Sequence, residues 1–145
     1  MTITKQYIIE LATAFHQTVM IEKGDAAAQA KYFLYPEPMI ILLRGEDISM
    51  QKNYEIHQKL VDEIHLAQDD MLLTQLCDQP EKARAVFTVY WQGRLKDNDG
   101  PDATIKCYVG EDWIVQRDAG GDLKFVQYIN TFHHFLPDSA AIDLE

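Results

Sequence analysis

The chain has 145 residues, with 13 lysines and arginines against 23 aspartates and glutamates, so its net charge is −10 with histidines neutral. That length fits one domain with a real core and no disulfide staples. The acidic balance repels phosphate backbones and anionic lipid, which argues against nucleic acid and membrane as partners.

Thr2 or Thr4 offers an N-cap for a first helix reaching about Glu22, and Ile8, Leu11, Ala12, Phe15 and Val19 recur on it at helical spacing. Gly24-Asp25 breaks it: Gly24 suits a left-handed position and Asp25 can cap a short second helix over 26–33, which packs through Ala30, Phe33 and Leu34. Tyr35-Pro36-Glu37-Pro38 stops that helix, because a residue before proline avoids the helical region. Residues 39–43 read as a short apolar strand and Gly45-Glu46-Asp47 as a turn. A third helix is predicted from 49 to 64, with Tyr54, His57, Leu60, Val61 and Ile64 at helical spacing.

The remainder reads as sheet. Strands are predicted over 66–76, 83–95, 104–117 and 123–135, joined by turns at 78–81, 97–102 and 119–122. In the second of these strands Ala85, Phe87, Val89 and Trp91 share one face and Thr88, Tyr90 and Gln92 the other. Long strands with short turns favour a meander. Large residues on both faces ask for cover on both, so the face away from the helices is a candidate homodimer surface. One domain over 1–137 with a polar, loose tail over 138–145 follows. Cys77 and Cys107 form no CxxC pair, so neither zinc nor a redox couple is expected, and a reducing cytoplasm is the default setting. No leader and no bilayer-spanning stretch is visible.

This order resembles the nuclear transport factor 2-like (NTF2-like) superfamily, which includes the SnoaL-like and ketosteroid isomerase-like proteins. The resemblance rests on the Gly24-Asp25 break, the 33–36 end of the second helix, Arg44-Gly45 after the short strand, the 83–93 strand, and Trp113-Ile114-Val115 before a Gly-rich turn. It spans about 2–135 and implies an α+β, cystatin-like cone: three helices of the N-terminal half packed on a curved, mixed but mainly antiparallel sheet, with an interior pocket and common homodimers. The superfamily hosts isomerases, dehydratases, cyclases, epoxide hydrolases and non-catalytic domains, so the fold leaves the reaction open. Its isomerases place a general base on the short strand, where this chain has Met39-Ile40-Ile41-Leu42-Leu43 and no carboxylate. Their helix-one tyrosine falls near His16 or Gln17, and their second acid near Ile114 or Val115. The isomerase activity is therefore not implied.

Candidate chemistry comes from other residues. His57 lies on the apolar stripe of the third helix, one turn from Tyr54, and could transfer protons near neutral pH; a core histidine is the alternative. His16 flanks the stripe of helix one and reads the same way. Tyr128 and Asn130 share a face of the last strand with Val126 and Phe132, so they could either polarise a ligand or bond across a dimer. Trp91, Arg117 and His133 are further ligand-binding candidates. His133 and His134 point to opposite faces and cannot together hold a metal, and no metal or cofactor is expected. The reading is a pocket for a small apolar molecule, with cofactor-free acid–base chemistry by His57, Tyr128 and Asn130, or else a non-catalytic binding or adaptor homodimer.

Overall fold

In a computed structural model, which describes residues 2–35, 39–41, 47–76 and 81–142, Thr4 begins the first helix by accepting the Tyr7 amide at 3.2 Å. Cys77, the turn at 78–80, residues 36–38, and 42–46 with Arg44-Gly45 lie outside the described residues. Helix α1 (Lys5–His16) continues as a π-helical turn, Gln17–Ile21. Ile8, Ala12, Phe15 and Val19 are buried along it, as the spacing predicts. Lys23, not Gly24, takes the left-handed conformation, at φ 55°. Gly24 serves a close approach instead, because a Cβ there would stand 2.8 Å from Thr18 Cγ2. Asp25 caps α2 (Ala26–Ala30), after which Phe33 bridges to Phe125.

Strand β1 (Met39–Ile41) pairs antiparallel with β2 (Asp47–Ile48) and parallel with the last strand. Ser49 then caps α3 (Met50–Gln58). The predicted helix over 49–64 ends early, and Leu60, Val61 and Ile64 belong to β3 (Leu60–Ala67). The predicted 66–76 strand breaks at Asp69-Asp70, leaving β4 (Leu72–Leu76). The cause is tertiary. Strand β5 (Lys82–Leu95) is long enough to pair with β3 along one half and β4 along the other, and this ladder outweighs the local helical period. Asp70 caps the break by accepting the Thr88 amide at 2.9 Å. Strands β6 (Thr104–Arg117) and β7 (Leu123–Phe135) complete a sheet of order β2-β1-β7-β6-β5-β3, antiparallel except at β1–β7. The α+β architecture matches the expectation. The tail is not loose where it is described: Ala140 donates to the Thr104 carbonyl, and Lys106 pairs with Asp138.

Helix α1 lies on the inner face of the sheet. Phe15 meets Phe33, Phe125 and Tyr128 edge-on at centroid distances of 5.3–5.6 Å. Burying such a ring stabilises the fold by roughly 1.5–3 kcal/mol. The inner face of β6 carries Ile105, Cys107, Val109, Glu111, Trp113 and Val115.

Three bulges decide which residues join that face. In β3 the register slips between Val61 and Ile64, with Asp62 at φ 57°, so Glu63 and His65 both turn inward. In β7 one extra residue sits at Val126 and another at Thr131, since Val115 pairs with Phe125, Ile114 with Gln127, Glu111 with Asn130 and Gly110 with Phe132. The inner residues of β7 are therefore Phe125, Tyr128, Asn130, His133 and Phe135. Tyr128 and Asn130 do not share a face with Val126 and Phe132 in the simple alternation predicted. Phe132 lies outside over Gly110, where any Cβ would come within 2.4 Å of its ring.

Candidate functional site

Where α1 and its π turn face β3, a cleft of about 350 Å³ opens. Its walls are mainly apolar, with Ile9, Ala12, Met20 and Phe87 among them, and two imidazoles, His16 and His65, stand in it with Glu63. Helix α1 places His16 because its last turn continues into the π turn rather than ending. Such turns widen a helix by one residue and recur at functional sites.

The imidazoles of His16 and His65 lie face to face, with centroids 3.4 Å apart and planes tilted by 36°. Two like rings this close can be accommodated only if they are not both charged. Burial, then the neighbouring histidines, holds His16 well below the usual histidine value. Burial, helped by His57, pushes His65 down to about 3. Both are neutral at physiological pH. Behind His16, its Nε2 lies 2.9 Å from the Tyr128 hydroxyl, whose proton burial keeps firmly in place. Among the described residues that hydroxyl has no second partner, so it donates to His16 Nε2. Trp113 stacks on Tyr128 at 5.0 Å and fixes the phenol.

Behind His65 lies Glu111, 2% exposed. Its Oε2 accepts two hydrogen bonds, from Trp113 Nε1 and from Asn130 Nδ2, each at 2.8 Å. Burial drives its pKa well above the ordinary glutamate range, and these two neutral donors only moderate the rise. Glu111 Oε1 lies 3.7 Å from His65 Nε2, which is buried and among the described residues has no hydrogen-bond partner.

A second group stands at the edge of the cleft. Glu63 accepts from Lys23 Nζ at 2.9 Å, from His57 Nδ1 at 2.9 Å and from Trp91 Nε1 at 3.1 Å. Burial alone would raise its pKa, but the bonds and charges of His57 and Lys23 prevail and hold it below the usual value, so it is an anion. Lys23 also donates to the His57 carbonyl at 3.0 Å, which ties the end of α3 to the left-handed residue after the π turn. Among the described residues no three His, Cys, Asp or Glu side chains gather as a metal would require.

The predicted site residues thus divide. His16, Tyr128 and Asn130 belong to the deep group, Asn130 by way of Glu111. His57 and Trp91 meet on Glu63. Tyr54 is half-buried on α3 and does not line the cleft. Arg117 lies at the far end of β6, bonded to Glu81 at 2.9 Å with its guanidinium 5.4 Å over the Tyr7 ring. His133 lies on the inner face beyond the second bulge of β7, stacked with Phe135. Sequence reasoning missed His65, Glu111 and Glu63. Glu111 had left a signal: it is the lone acid in phase with Cys107, Val109, Trp113 and Val115.

No protein-family model and no curated protein matches the chain. Solved structures do. A protein of Catenulispora acidiphila is 14% identical with TM-score 0.65, covering 88% of this chain and 89% of that one. The hexachlorocyclohexane dehydrochlorinase LinA-type3 of Novosphingobium barchaimii is 14% identical with TM-score 0.59, covering 96% and 94%. A ketosteroid isomerase-like protein of Erwinia carotovora atroseptica is 11% identical with TM-score 0.57, covering 87% and 90%. At these identities the likeness speaks for the fold, and it agrees with the helix order, the mixed sheet and the inner cleft: the chain has the fold of the NTF2-like superfamily.

Proposed function

We propose that this protein takes a small, mostly apolar, uncharged organic molecule into the cleft and performs cofactor-free acid–base chemistry on it, of the isomerase, dehydratase or cyclase type. The observation that carries this reading is the stacked pair of neutral imidazoles in an apolar wall, His16 backed by the Tyr128 hydroxyl. With Nε2 occupied by that phenol, the proton of His16 rests on Nδ1, the nitrogen left for a ligand. A neutral imidazole N–H polarises a carbonyl without bringing a charge into the site. The titratable groups in the wall are two neutral histidines and one carboxylate, a poor match for anionic ligands. Two similar structures carry the names of a dehydrochlorinase and an isomerase-like protein, which favours proton transfer over binding alone.

α-Tetralone in D2O tests this, since exchange of its protons next to the carbonyl reports enolisation without knowledge of the natural substrate. NMR should show stereoselective exchange with the wild type and loss of at least about 10-fold in His16→Ala. Equal exchange in both proteins, or none above buffer, sinks the reading.

A further observation favours assembly as a homodimer. The outer sheet face exposes Leu72, Val86, Tyr108 and Phe132, with Leu72 and Val86 a cross-strand pair. An apolar face of this kind is stabilised by cover, and a second copy of the same sheet supplies it symmetrically. Sedimentation velocity should give a dimer for the wild type and a monomer for Leu72→Glu combined with Val86→Glu; a wild-type monomer refutes it. We place the protein in the cytoplasm, where a thiol such as Cys107, buried and pushed up to about 11, is kept reduced. Among the described residues no helix is long and apolar enough to cross a membrane.

A further inference from the structure

Glu111 has one oxygen fully engaged and one that is not. The atoms that face Oε2, Trp113 Nε1 and Asn130 Nδ2, both donate, so Oε2 acts as an acceptor twice over. Among the described residues no lysine or arginine pairs with the carboxyl, and the one base within 4 Å, His65, is neutral. An ionised group in that position would be a buried charge without a counter-ion, which is costly. If the carboxyl is neutral, its proton must sit on Oε1, and the polar atom facing Oε1 is His65 Nε2 at 3.7 Å. That nitrogen is itself buried and without a hydrogen-bond partner among the described residues. The gap is too short to admit a bridging water and closes to a hydrogen bond with a shift of under about 1 Å. Each atom supplies what the other lacks: a proton on Oε1 and a lone pair on Nε2.

We propose that Glu111 is a positioning residue: it stays a neutral carboxylic acid, carries its proton on Oε1 and offers it to His65 Nε2, fixing His65 as the Nδ1–H tautomer beneath His16. The two stacked imidazoles are then held alike, each accepting at Nε2 from a buried neutral acid, the Tyr128 phenol or the Glu111 carboxyl. Held this way, neither ring can take up a proton from behind, and the pair stays uncharged at a separation that two imidazolium ions could not sustain. This deepens the cleft reading above and rests on it only for its catalytic consequence.

The test is histidine-15N NMR together with Glu-δ-13C NMR of the whole protein, which does not depend on turnover. The expected result is that His65 shows the long-range 1H–15N pattern of the Nδ1–H tautomer. The Glu111 carboxyl carbon should keep the shift of a protonated acid from about pH 5 to about pH 8. Glu111→Gln should preserve the tautomer, because its carbonyl can accept from Trp113 and Asn130 while its amide N–H faces Nε2. Glu111→Asp, one methylene short, should release His65 into a mixture of tautomers. If α-tetralone exchange is seen, it should fall about 10-fold in Glu111→Asp and hold in Glu111→Gln. A wild-type His65 found as the Nε2–H tautomer or as imidazolium overturns the proposal, and so does a carboxyl carbon that titrates in that range. The wild-type spectra decide this even if a variant does not fold. Absence of tetralone exchange beside an intact tautomer lock would count against the function and leave the lock standing.

Discussion

Glu63 and Glu111 are both buried on the inner face of the sheet, and each receives an indole N–H, from Trp91 and Trp113 respectively. One is an anion and the other an acid. The difference lies in their remaining donors: Glu63 has the Lys23 ammonium and the His57 imidazole, Glu111 only the Asn130 amide. Burial pushes both carboxyls toward neutrality, and only the group with a charged donor resists. The same residue type on β3 and on β6, with β5 between them, can thus serve as a fixed charge at the edge of a cleft and as a proton carrier within it.

The largest expected effect separates the two by removing the anion. Glu63→Ala strands Lys23 and His57 and should cost about 3–5 kcal/mol in urea unfolding. A loss no larger than that of Glu111→Gln would break the comparison. The indoles come next. Trp113→Phe leaves Glu111 Oε2 with one donor and should cost about 1–3 kcal/mol. Trp91→Phe should cost less, because Glu63 keeps its stronger partners, and the reverse order would mean that the indoles act through packing alone. The smallest effect is the most specific. Glu111 has a folded pKa above its unfolded value of 4.5. Its contribution is complete below pH 4.5 and fades as pH climbs through the raised folded value. Glu111→Gln cannot ionise, so its melting temperature relative to the wild type should rise as pH is increased above 4.5. His16 and His65 work in the opposite sense: their folded values lie below 6.5, so their contribution is complete above pH 6.5 and is lost as pH falls, for His65 toward about 3. That acid limb should survive in Glu111→Gln.

The architecture was legible in the sequence because caps and alternation are local. Thr4, Asp25 and Ser49 start helices as their side chains suggest. Ala85, Phe87, Val89 and Trp91 are buried on one face as their spacing requires. The site was only half legible. His16, Tyr128 and Asn130 could be singled out, but Leu60, Val61 and Ile64 mimic a helical stripe, and this hid Glu63 inside a predicted helix and left His65 just past its end. A bulge is likewise invisible to a count of two: it depends on how a partner strand is paired, and Val126 and Thr131 carry no mark of it.

The paired slips in β7 also bear on how such a site could be rebuilt. Each alone would invert everything downstream, but together they cancel. Phe125, His133 and Phe135 keep the parity of an unbroken strand, and only the stretch between the extra residues is turned over. Where the surplus is stored therefore decides what the strand presents. Deleting Val126 and Thr131 would leave Tyr128 and Asn130 inward, opposite their present partners Trp113 and Glu111. Deleting Thr131 and Phe132 instead would keep both ends docked and let alternation run unbroken from Phe125, which brings Gln127 and Ile129 inside. A designer could exchange the functional surface of this protein by choosing which two residues to remove.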